Sequence, residues 1–271
     1  MSAPVPETLG LIAGNGEYPF AMARAARRAG VRRLVAAAFE NETREELAGE
    51  VAAMTWLRVG QLSRMIKFFR GEGVGHAVMV GQIAPRNLFD LRPDLRTLMM
   101  LAKVKERNAE SLFGAVAAEL ERDGITLLPA ISYLEEEMAP LGHICGPVRK
   151  AREMEDIEFG ARMARETSRL DIGQTVVVRR GTVLAVEAFE GTNECIRRGG
   201  AMGRGKAAMV KVSKPGQDLR FDVPVIGPQT IETAAEAGVQ LIGVEAGKTL
   251  ILERGEVERL CGLRGVTVAG F

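Results

Sequence analysis

The chain has 271 residues, of which 46% are hydrophobic and 26% are charged. This length and composition are typical of a globular protein with one large or two modest domains. Its 36 basic and 35 acidic residues give a net charge of +1, which argues against non-specific binding to nucleic acid. We therefore expect no nucleic-acid partner.

The cysteines and the first residues bear on the cellular compartment. Cys145, Cys195 and Cys261 are far apart and form no CxxC pair, so no disulfide framework is predicted. This pattern favours the reducing cytoplasm. The opening residues MSAPVPET lack a basic and an apolar segment, and no apolar run approaches the ~20 residues of a membrane-spanning helix. We expect neither a secretory signal nor a membrane span.

Strand-like and helix-like segments alternate in the first half of the chain. In order, the patterns predict a strand at 9–13, a helix at 18–28, a strand at 33–38, a helix at 61–69, a strand at 76–80, helices at 95–104 and 109–122, and a strand at 126–128. Such alternation predicts a parallel sheet covered by helices on both faces. The first half is therefore predicted to be a Rossmann-like α/β domain.

The order of predicted strands and helices in the second half of the chain differs from that in the first. Gly and Pro are frequent in 138–147, which predicts a boundary between domains at 1–137 and 138–271. The patterns then predict a helix at 151–169, a hairpin of strands 175–178 and 183–186, a strand at 209–212, a helix at 230–237, and strands at 241–244, 250–252 and 266–268. We expect a mixed α/β domain.

Two glycine-containing segments could bind phosphate. Gly14-Asn15-Gly16 follows the first strand and precedes a helix, where backbone N–H groups can approach an anion. Pro19 occupies the third small position of a dinucleotide fingerprint, so ligand contact and a merely tight turn both stay open. Gly247-Lys248-Thr249 lacks the earlier glycine of a Walker A motif and is predicted to be a hairpin turn.

Positive charge is concentrated in one stretch. Residues 195–220 hold seven basic residues and one acid, with glycines at 199, 200, 203 and 205. We predict a mobile or anion-wrapping loop there, and the alternative is a solvated basic face. Aromatic residues do not alternate with the charges, so a platform for single-stranded nucleic acid is a poor fit. A phosphorylated small molecule suits this stretch better.

Oxygen-bearing side chains flank the basic stretch. His76 and His143 are the only histidines, so we expect no histidine-built zinc site and predict a hard cation such as Mg²⁺ instead. Asp218 and Asp222 flank Arg220, and EAFEGTN (187–193) offers further hard ligands. Carboxylates beside cations are what metal-assisted phosphoryl chemistry requires. The alternative is a pair of polar loops whose side chains cap helices.

The segment 86–107 is basic and rich in methionine, with Leu98-Met99-Met100-Leu101 at its centre. An amphipathic helix of this composition can meet a membrane surface or an acyl chain. The alternative is a core helix with one solvated side.

Four motifs in this order carry a family resemblance: LGLIAGNG-x-x-P from residue 9, RLDIGQ (169–174), VLAVEAFEGTN (183–193) and KPGQDLRFDVPVIGPQTI (214–231). Together they resemble the LpxI-type UDP-2,3-diacylglucosamine pyrophosphatases of Gram-negative lipid A biosynthesis. The resemblance covers essentially the whole chain. It implies hydrolysis of UDP-2,3-diacylglucosamine to 2,3-diacylglucosamine 1-phosphate (lipid X) and UMP, with a divalent cation, usually Mg²⁺ but also Mn²⁺ or Co²⁺. It also implies a homodimer.

The resemblance places the family's essential aspartate at Asp222, so the second domain is expected to carry the catalytic residue. Asn193 stands where the family usually has an aspartate. Asp222, Glu190 and Asp218 are the predicted metal ligands. The predicted substrate-binding residues are Gly14, Asn15, Gly16, Glu190, Gly191, Thr192, Lys211, Lys214, Gln217, Arg220 and Thr230.

Two other functions compete with this hypothesis. One is a non-catalytic module that binds a nucleotide sugar or a lipid. The other is a nicotinamide-dependent oxidoreductase, against which Pro19 and the lack of a Tyr-x-x-x-Lys proton donor count. For the enzyme we expect a cytoplasmic location with peripheral contact at the inner-membrane surface.

Overall fold

A computed structural model describes residues 5–83, 93–104 and 109–271 of the chain. The described residues form two compact units. The first combines the chain up to Glu135 with the short segment Asp218–Asp222, and the second combines Glu136–Gln217 with Val223–Phe271. The predicted division into folding domains at residue 137 stays a prediction, because compactness alone does not establish that a part folds by itself.

The first unit contains a five-stranded parallel sheet with strand order β3-β2-β1-β4-β5. The strands are β1 (Thr8–Ala13), β2 (Arg33–Phe39), β3 (Ala53–Leu57), β4 (His76–Val80) and β5 (Thr126–Leu127). The helices are α1 (Tyr18–Arg28), α2 (Leu62–Gly71), α3 (Leu95–Leu101) and α4 (Ala109–Arg122), with a 3-10 helix at Glu45–Glu50. The parallel α/β prediction is confirmed.

The order of these strands reverses between β1 and β4, since β2 and β3 extend the sheet on one side and β5 extends it on the other. At such a switch point the loops leaving neighbouring strands diverge, and ligands of open α/β sheets bind in the crevice between them. The edge strand β3 was missed because its residues are half-buried and show no apolar alternation.

The methionine-rich segment predicted at 86–107 is described only in part, since residues 86–92 and 105–107 lie outside the described residues. Within it, α3 buries Met100 and leaves Leu95, Leu98 and Met99 exposed. Among the described residues, no helix is both long and apolar enough to cross a bilayer.

The second unit contains a six-stranded mixed sheet with strand order β6-β13-β11-β9-β7-β8 and a separate parallel pair, β10 and β12. Its strands are β6 (Gly142–Cys145), β7 (Thr175–Arg179), β8 (Thr182–Val186), β9 (Ala207–Lys211), β10 (Val225–Ile226), β11 (Val239–Val244), β12 (Leu250–Ile251) and β13 (Thr267–Gly270). Its helices are α5 (Ala151–Arg169), α6 (Thr192–Gly203), α7 (Pro228–Ala237) and α8 (Arg254–Arg264), with a 3-10 helix at Glu135–Glu137 at the unit boundary. The mixed α/β prediction is confirmed.

Alternation along the strands separates two apolar faces of this sheet. Val176, Val178 and Val210 face α5, whose Ile157, Ala161 and Ala164 are buried. Val177 and Met209 face the other way and pack with residues of α6, α7 and α8. The sheet is therefore covered by helices on both sides, as a two-sided apolar sheet requires.

Two local predictions in this half are wrong, and one strand was not predicted. The predicted loop from residue 195 is helical up to Gly203, because Gly199, Gly200 and Gly203 allow α6 to lie close to its neighbours rather than loosening the chain. Gly247-Lys248-Thr249 is not a hairpin turn, since β11 and β12 belong to different sheets and Leu250 pairs in parallel with Val225. The Gly/Pro stretch contains β6, which pairs antiparallel with β13. The predicted hairpin of β7 and β8 is confirmed.

Replacing Gly199 with Ala tests the close approach of α6 to the sheet. A Cβ at this buried position would lie 2.7 Å from Val177 Cγ1, so we expect a loss of ~1–3 kcal/mol in the free energy of unfolding. Gly262→Ala in α8 is the matched control, because nothing lies within 4 Å of its added Cβ. It should stabilise the helix by ~0.5–1 kcal/mol. Urea denaturation measures both, and equal stability of the two variants would contradict the packing.

Candidate functional site

The glycine loop lies at the carboxyl end of β1, next to the loop that follows β4. Backbone N–H groups of Gly14 and Asn15 donate to the carbonyls of Val80 and Gln82, both at 2.8 Å. Gly14 allows no side chain, because a Cβ there would collide with the Gln82 carbonyl. These two N–H groups, which the sequence predicts to face a phosphate, therefore bind backbone carbonyls of the protein instead.

A buried carboxylate stands beside this loop. Asn15 Nδ2 donates to Glu42 Oε2 at 3.1 Å, and Glu42 is 6% exposed. The Thr43 hydroxyl donates to the Ala13 carbonyl at 2.5 Å, which ties the chain after β2 to the end of β1. An amide and a carboxylate at a switch point suit ligand hydroxyl groups better than a phosphate, whose negative charge Glu42 would repel.

In the second unit, the structure brings Thr192 and Lys211 together. Lys211 ends β9 and is 4% exposed, and its Nζ donates to Thr192 Oγ1 at 2.8 Å. The Thr192 hydroxyl donates in turn to Glu187 Oε1 at 2.6 Å. A buried ammonium and a buried carboxylate are thus joined through one hydroxyl, which balances their charges away from water.

Strand register explains why these side chains meet. Thr175 is paired with Lys211 across β7 and β9, and the Glu187 N–H donates to the Thr175 carbonyl at 2.9 Å. Lys211, Thr175 and Glu187 therefore stand side by side across three neighbouring strands. They lie at the carboxyl ends of β9, β11 and β13, beneath the first turn of α6.

Glu187 was not predicted as a site residue, although it begins the quoted EAFEGTN motif. It is 8% exposed, and its Oε2 has no hydrogen-bond partner in the described part of the chain. The same holds for the buried Thr175 Oγ1. Buried polar atoms in native proteins are usually paired with other protein groups or with ordered water. In the sequence, the one signal for Glu187 is that an acidic residue directly follows a predicted strand.

Cys195 lies on the same side of the sheet, in α6. Burial, reinforced by the Glu187 charge, raises the pKa of its thiol to about 12. The thiol is protonated near neutral pH, and a protonated thiol is a poor nucleophile.

Glu190 and Gly191 lie at the entrance to α6. Gly191 has φ +84° and is the N-cap, a conformation that glycine adopts without strain. Glu190 Oε1 accepts from Arg198 Nη2 at 2.5 Å. The Glu190 backbone N–H and then the Arg198 guanidinium hold the pKa of this carboxyl below its usual value. Its carboxylate would have to leave Arg198 to bind a cation.

The remaining predicted residues of the second unit form polar contacts within the protein. Lys214 Nζ lies 2.7 Å from Asp171 Oδ1. Gln217 Oε1 accepts from the Lys214 N–H at 2.9 Å and from the Ser213 hydroxyl at 2.5 Å. The Thr230 hydroxyl accepts from the Gly227 N–H at 3.4 Å at the start of α7. Their predicted contacts with substrate stay predictions.

Asp218 and Asp222 belong to the first unit and differ in their surroundings. The Asp218 carboxylate binds the Arg220 guanidinium with two hydrogen bonds, Nε–Oδ1 at 3.0 Å and Nη2–Oδ2 at 2.7 Å. Arg220 thereby lowers the pKa of Asp218. The stabilisation from this pair is present above the unfolded-state pKa and is lost as pH falls through the lowered folded-state pKa. Asp218 is therefore ionised and paired near neutral pH.

Asp222 is partly buried, and its carboxylate forms no hydrogen bond or ion pair within the ranges that the structure describes. Of the three predicted metal ligands, Asp218 and Glu190 are engaged by arginines and Asp222 is not. Among residues 5–83, 93–104 and 109–271, no three histidine, cysteine, aspartate or glutamate side chains are grouped so as to hold a metal ion. Of the three predicted ligands, Asp222 alone could take a cation without first leaving an arginine, and the cation site itself stays a prediction.

Fold and site together define an α/β protein of two compact units with polar side chains collected at the carboxyl ends of parallel strands. Family models give a more specific answer: the LpxI N-terminal domain matches residues 8–137 and the LpxI C-terminal domain matches residues 140–269. The chain belongs to the LpxI family. It is also 34% identical over 278 aligned positions to the UDP-2,3-diacylglucosamine pyrophosphatase LpxI of Caulobacter vibrioides, covering 97% of this chain and 96% of that protein.

Thr192→Val tests the link between the buried charges. Removing the hydroxyl leaves Lys211 and Glu187 without their shared partner, so we expect a loss of ~1–3 kcal/mol in the free energy of unfolding. The Thr192→Val/Lys211→Met double variant should lose less than the sum of the single variants, because they break one network. Thr182→Val, exposed on β8, is the control. Additive losses in urea denaturation would show that Thr192 and Lys211 contribute independently.

Proposed function

We propose that this protein hydrolyses the pyrophosphate of UDP-2,3-diacylglucosamine, releasing 2,3-diacylglucosamine 1-phosphate and UMP in lipid A biosynthesis. The observation that carries this proposal is the similarity to the Caulobacter pyrophosphatase along nearly the full length of both chains. A match restricted to one unit would leave the fold shared and the reaction open.

The residues of the second unit support recognition of an anion. Gly191 and Thr192 open α6, and the first N–H groups of a helix attract negative charge. Lys211 adds a cation whose position is fixed by Thr192. Lys214, Gln217 and Thr230 of the second unit, and Arg220 of the first, complete the substrate-binding set that we propose. Fixed positive charge of this kind stabilises the negative charge that develops in phosphoryl transfer.

Asp222 supplies the carboxylate of the reaction. Since no described side chain occupies its oxygens, it is available to orient the attacking water or to hold the cation. We propose Mg²⁺, or Mn²⁺ or Co²⁺ in its place, with Asp222 as the principal protein ligand and Glu190 and Asp218 as secondary ones. When bound, the cation neutralises phosphate charge.

Gly14, Asn15 and Gly16 are proposed to contact the nucleotide part of the substrate. The support is their place at the switch point of the first sheet, together with the carboxylate of Glu42, which can accept hydrogen bonds from ribose hydroxyls.

A homodimer and a cytoplasmic location complete the proposal. The dimer rests on the family resemblance and is tested by sedimentation equilibrium. The location is supported by Cys145, Cys195 and Cys261, which are free thiols as expected in a reducing compartment.

UMP release with wild type and Asp222→Ala, each with Mg²⁺ and with EDTA, tests the reaction. Loss of the carboxylate should lower kcat by at least ~10²-fold while substrate binding and melting temperature stay near wild type. Glu155→Ala, on the exposed side of α5, is the control and should keep full activity. Near-normal turnover by Asp222→Ala would remove Asp222 from the mechanism. Tight substrate binding without turnover by the wild type would instead identify a binding module.

The exposed apolar side chains of α3 support our proposal of peripheral membrane contact. We expect Leu98→Gln/Met99→Gln to reduce co-sedimentation with anionic phosphatidylglycerol vesicles by ~3-fold or more, since both side chains are about half exposed and their burial in lipid is lost. Leu263→Gln is the control, because Leu263 is an exposed leucine on a different helix, α8. Equal loss in both variants would exclude α3 as the contact.

A further inference from the structure

The segment Asp218–Asp222 belongs to a different compact unit from the residues on either side of it in sequence. The second unit contains Glu136–Gln217 and Val223–Phe271, whereas these five residues belong to the first unit. A short segment that crosses to another unit needs its own contacts there, because its chain connections do not hold it in place.

Aromatic packing provides the central contact. The Phe221 ring packs against the apolar core of the first sheet, and its centroid lies 5.7 Å from that of Phe113 in α4, with an interplanar angle of 46°. Offset and tilted ring pairs at this distance are favourable beyond the apolar area they bury.

Polar contacts flank the ring on both sides. The Leu219 carbonyl accepts from the Ala130 N–H at 2.6 Å, and the Ala130 carbonyl accepts from the buried Tyr18 hydroxyl at 2.7 Å. Arg220 Nη1 lies 3.6 Å from Glu121 Oε1 of α4. The first unit thus contacts the segment through α4 and through the residues after β5.

Hydrogen bonds within the segment also form a turn. The N–H groups of Phe221 and Asp222 both donate to the Asp218 carbonyl, at 3.2 and 3.1 Å, and the Arg220 N–H donates to Asp218 Oδ1 at 3.0 Å. The backbone of Asp222 is therefore fixed by this turn and by the preceding ring, while its carboxylate takes no part in fixing it.

We infer that Phe221 is a positioning residue for Asp222: its ring, seated against Phe113, holds the Asp222 carboxylate on the first unit. This inference rests on the proposed function, in which Asp222 acts on the substrate. A displacement of about 1 Å in a reacting group can cost ~10²-fold in rate, so a ring adjacent to Asp222 affects kcat without touching the substrate.

The test compares Phe221→Ala and Phe113→Ala with Phe68→Ala. Phe68 packs against the same apolar core but lies in α2, so its loss should lower stability without disturbing Asp222. We expect Phe221→Ala to lower kcat ~10–100-fold with KM within ~3-fold, Phe113→Ala to lower it less, and Phe68→Ala to leave it unchanged. Phe221→Leu, which keeps an apolar side chain, should recover most of the rate and replaces Phe221→Ala if that variant does not fold.

Hydrogen–deuterium exchange of the peptide covering 216–224 gives a readout that does not need turnover. Exchange should be at least ~10-fold faster in the Phe221 variant and unchanged in Phe68→Ala, because the N–H groups of Phe221 and Asp222 lose their fixed acceptor. Unchanged exchange, or a kcat equal to that of Phe68→Ala, overturns the inference. If exchange is faster in Phe221→Ala but the wild-type protein releases no UMP, the packing of Phe221 is supported. Both the positioning role and the proposed function are then rejected.

Discussion

The buried ammonium of Lys211 is the constraint on which the second unit's site depends. A lysine that is 4% exposed needs both a hydrogen-bond acceptor and a compensating charge. Thr192 provides the first directly, and Glu187 provides the second through the same hydroxyl. Because Thr192 is the first residue of α6, the charge balance of the sheet edge also fixes where that helix begins. The first turn of α6 and the lysine beneath it are therefore parts of one arrangement.

That arrangement requires α6 to lie unusually close to the sheet. Gly199 faces Val177, and Gly200 faces Ala237 of α7, with no room for a methyl group at either position. Larger residues would lift the helix and separate Thr192 from Lys211. Gly199 and Gly200 therefore serve packing, whereas the exposed side chains of Arg197 and Arg198 pair with Glu194 and Glu190.

Sequence reasoning predicted elements whose signals are local and missed those set by tertiary contacts. The helix at 18–28 and the hairpin at Arg180-Gly181 could be predicted because apolar periodicity and positive-φ turn residues act within a few positions. Helix α6 could not, since glycine lowers intrinsic helix propensity and its packing partners lie elsewhere in the chain. Sequence alone does not distinguish Glu187 from Glu190, because the burial that differs between these two acids depends on the strand register.

The location of Asp222 shows why sequence domains and compact units need not coincide. Asp222 lies inside the stretch matched by the LpxI C-terminal domain, yet it packs with residues that the LpxI N-terminal domain covers. A C-terminal fragment would contain Asp222 but lack Phe113, Glu121 and Ala130, which contact its segment. Sequence motifs identify Asp222, the carboxylate that we propose for the reaction, but the contacts that hold its segment belong to the other half of the chain. Both halves are therefore required for a positioned carboxylate, even though only one encodes it.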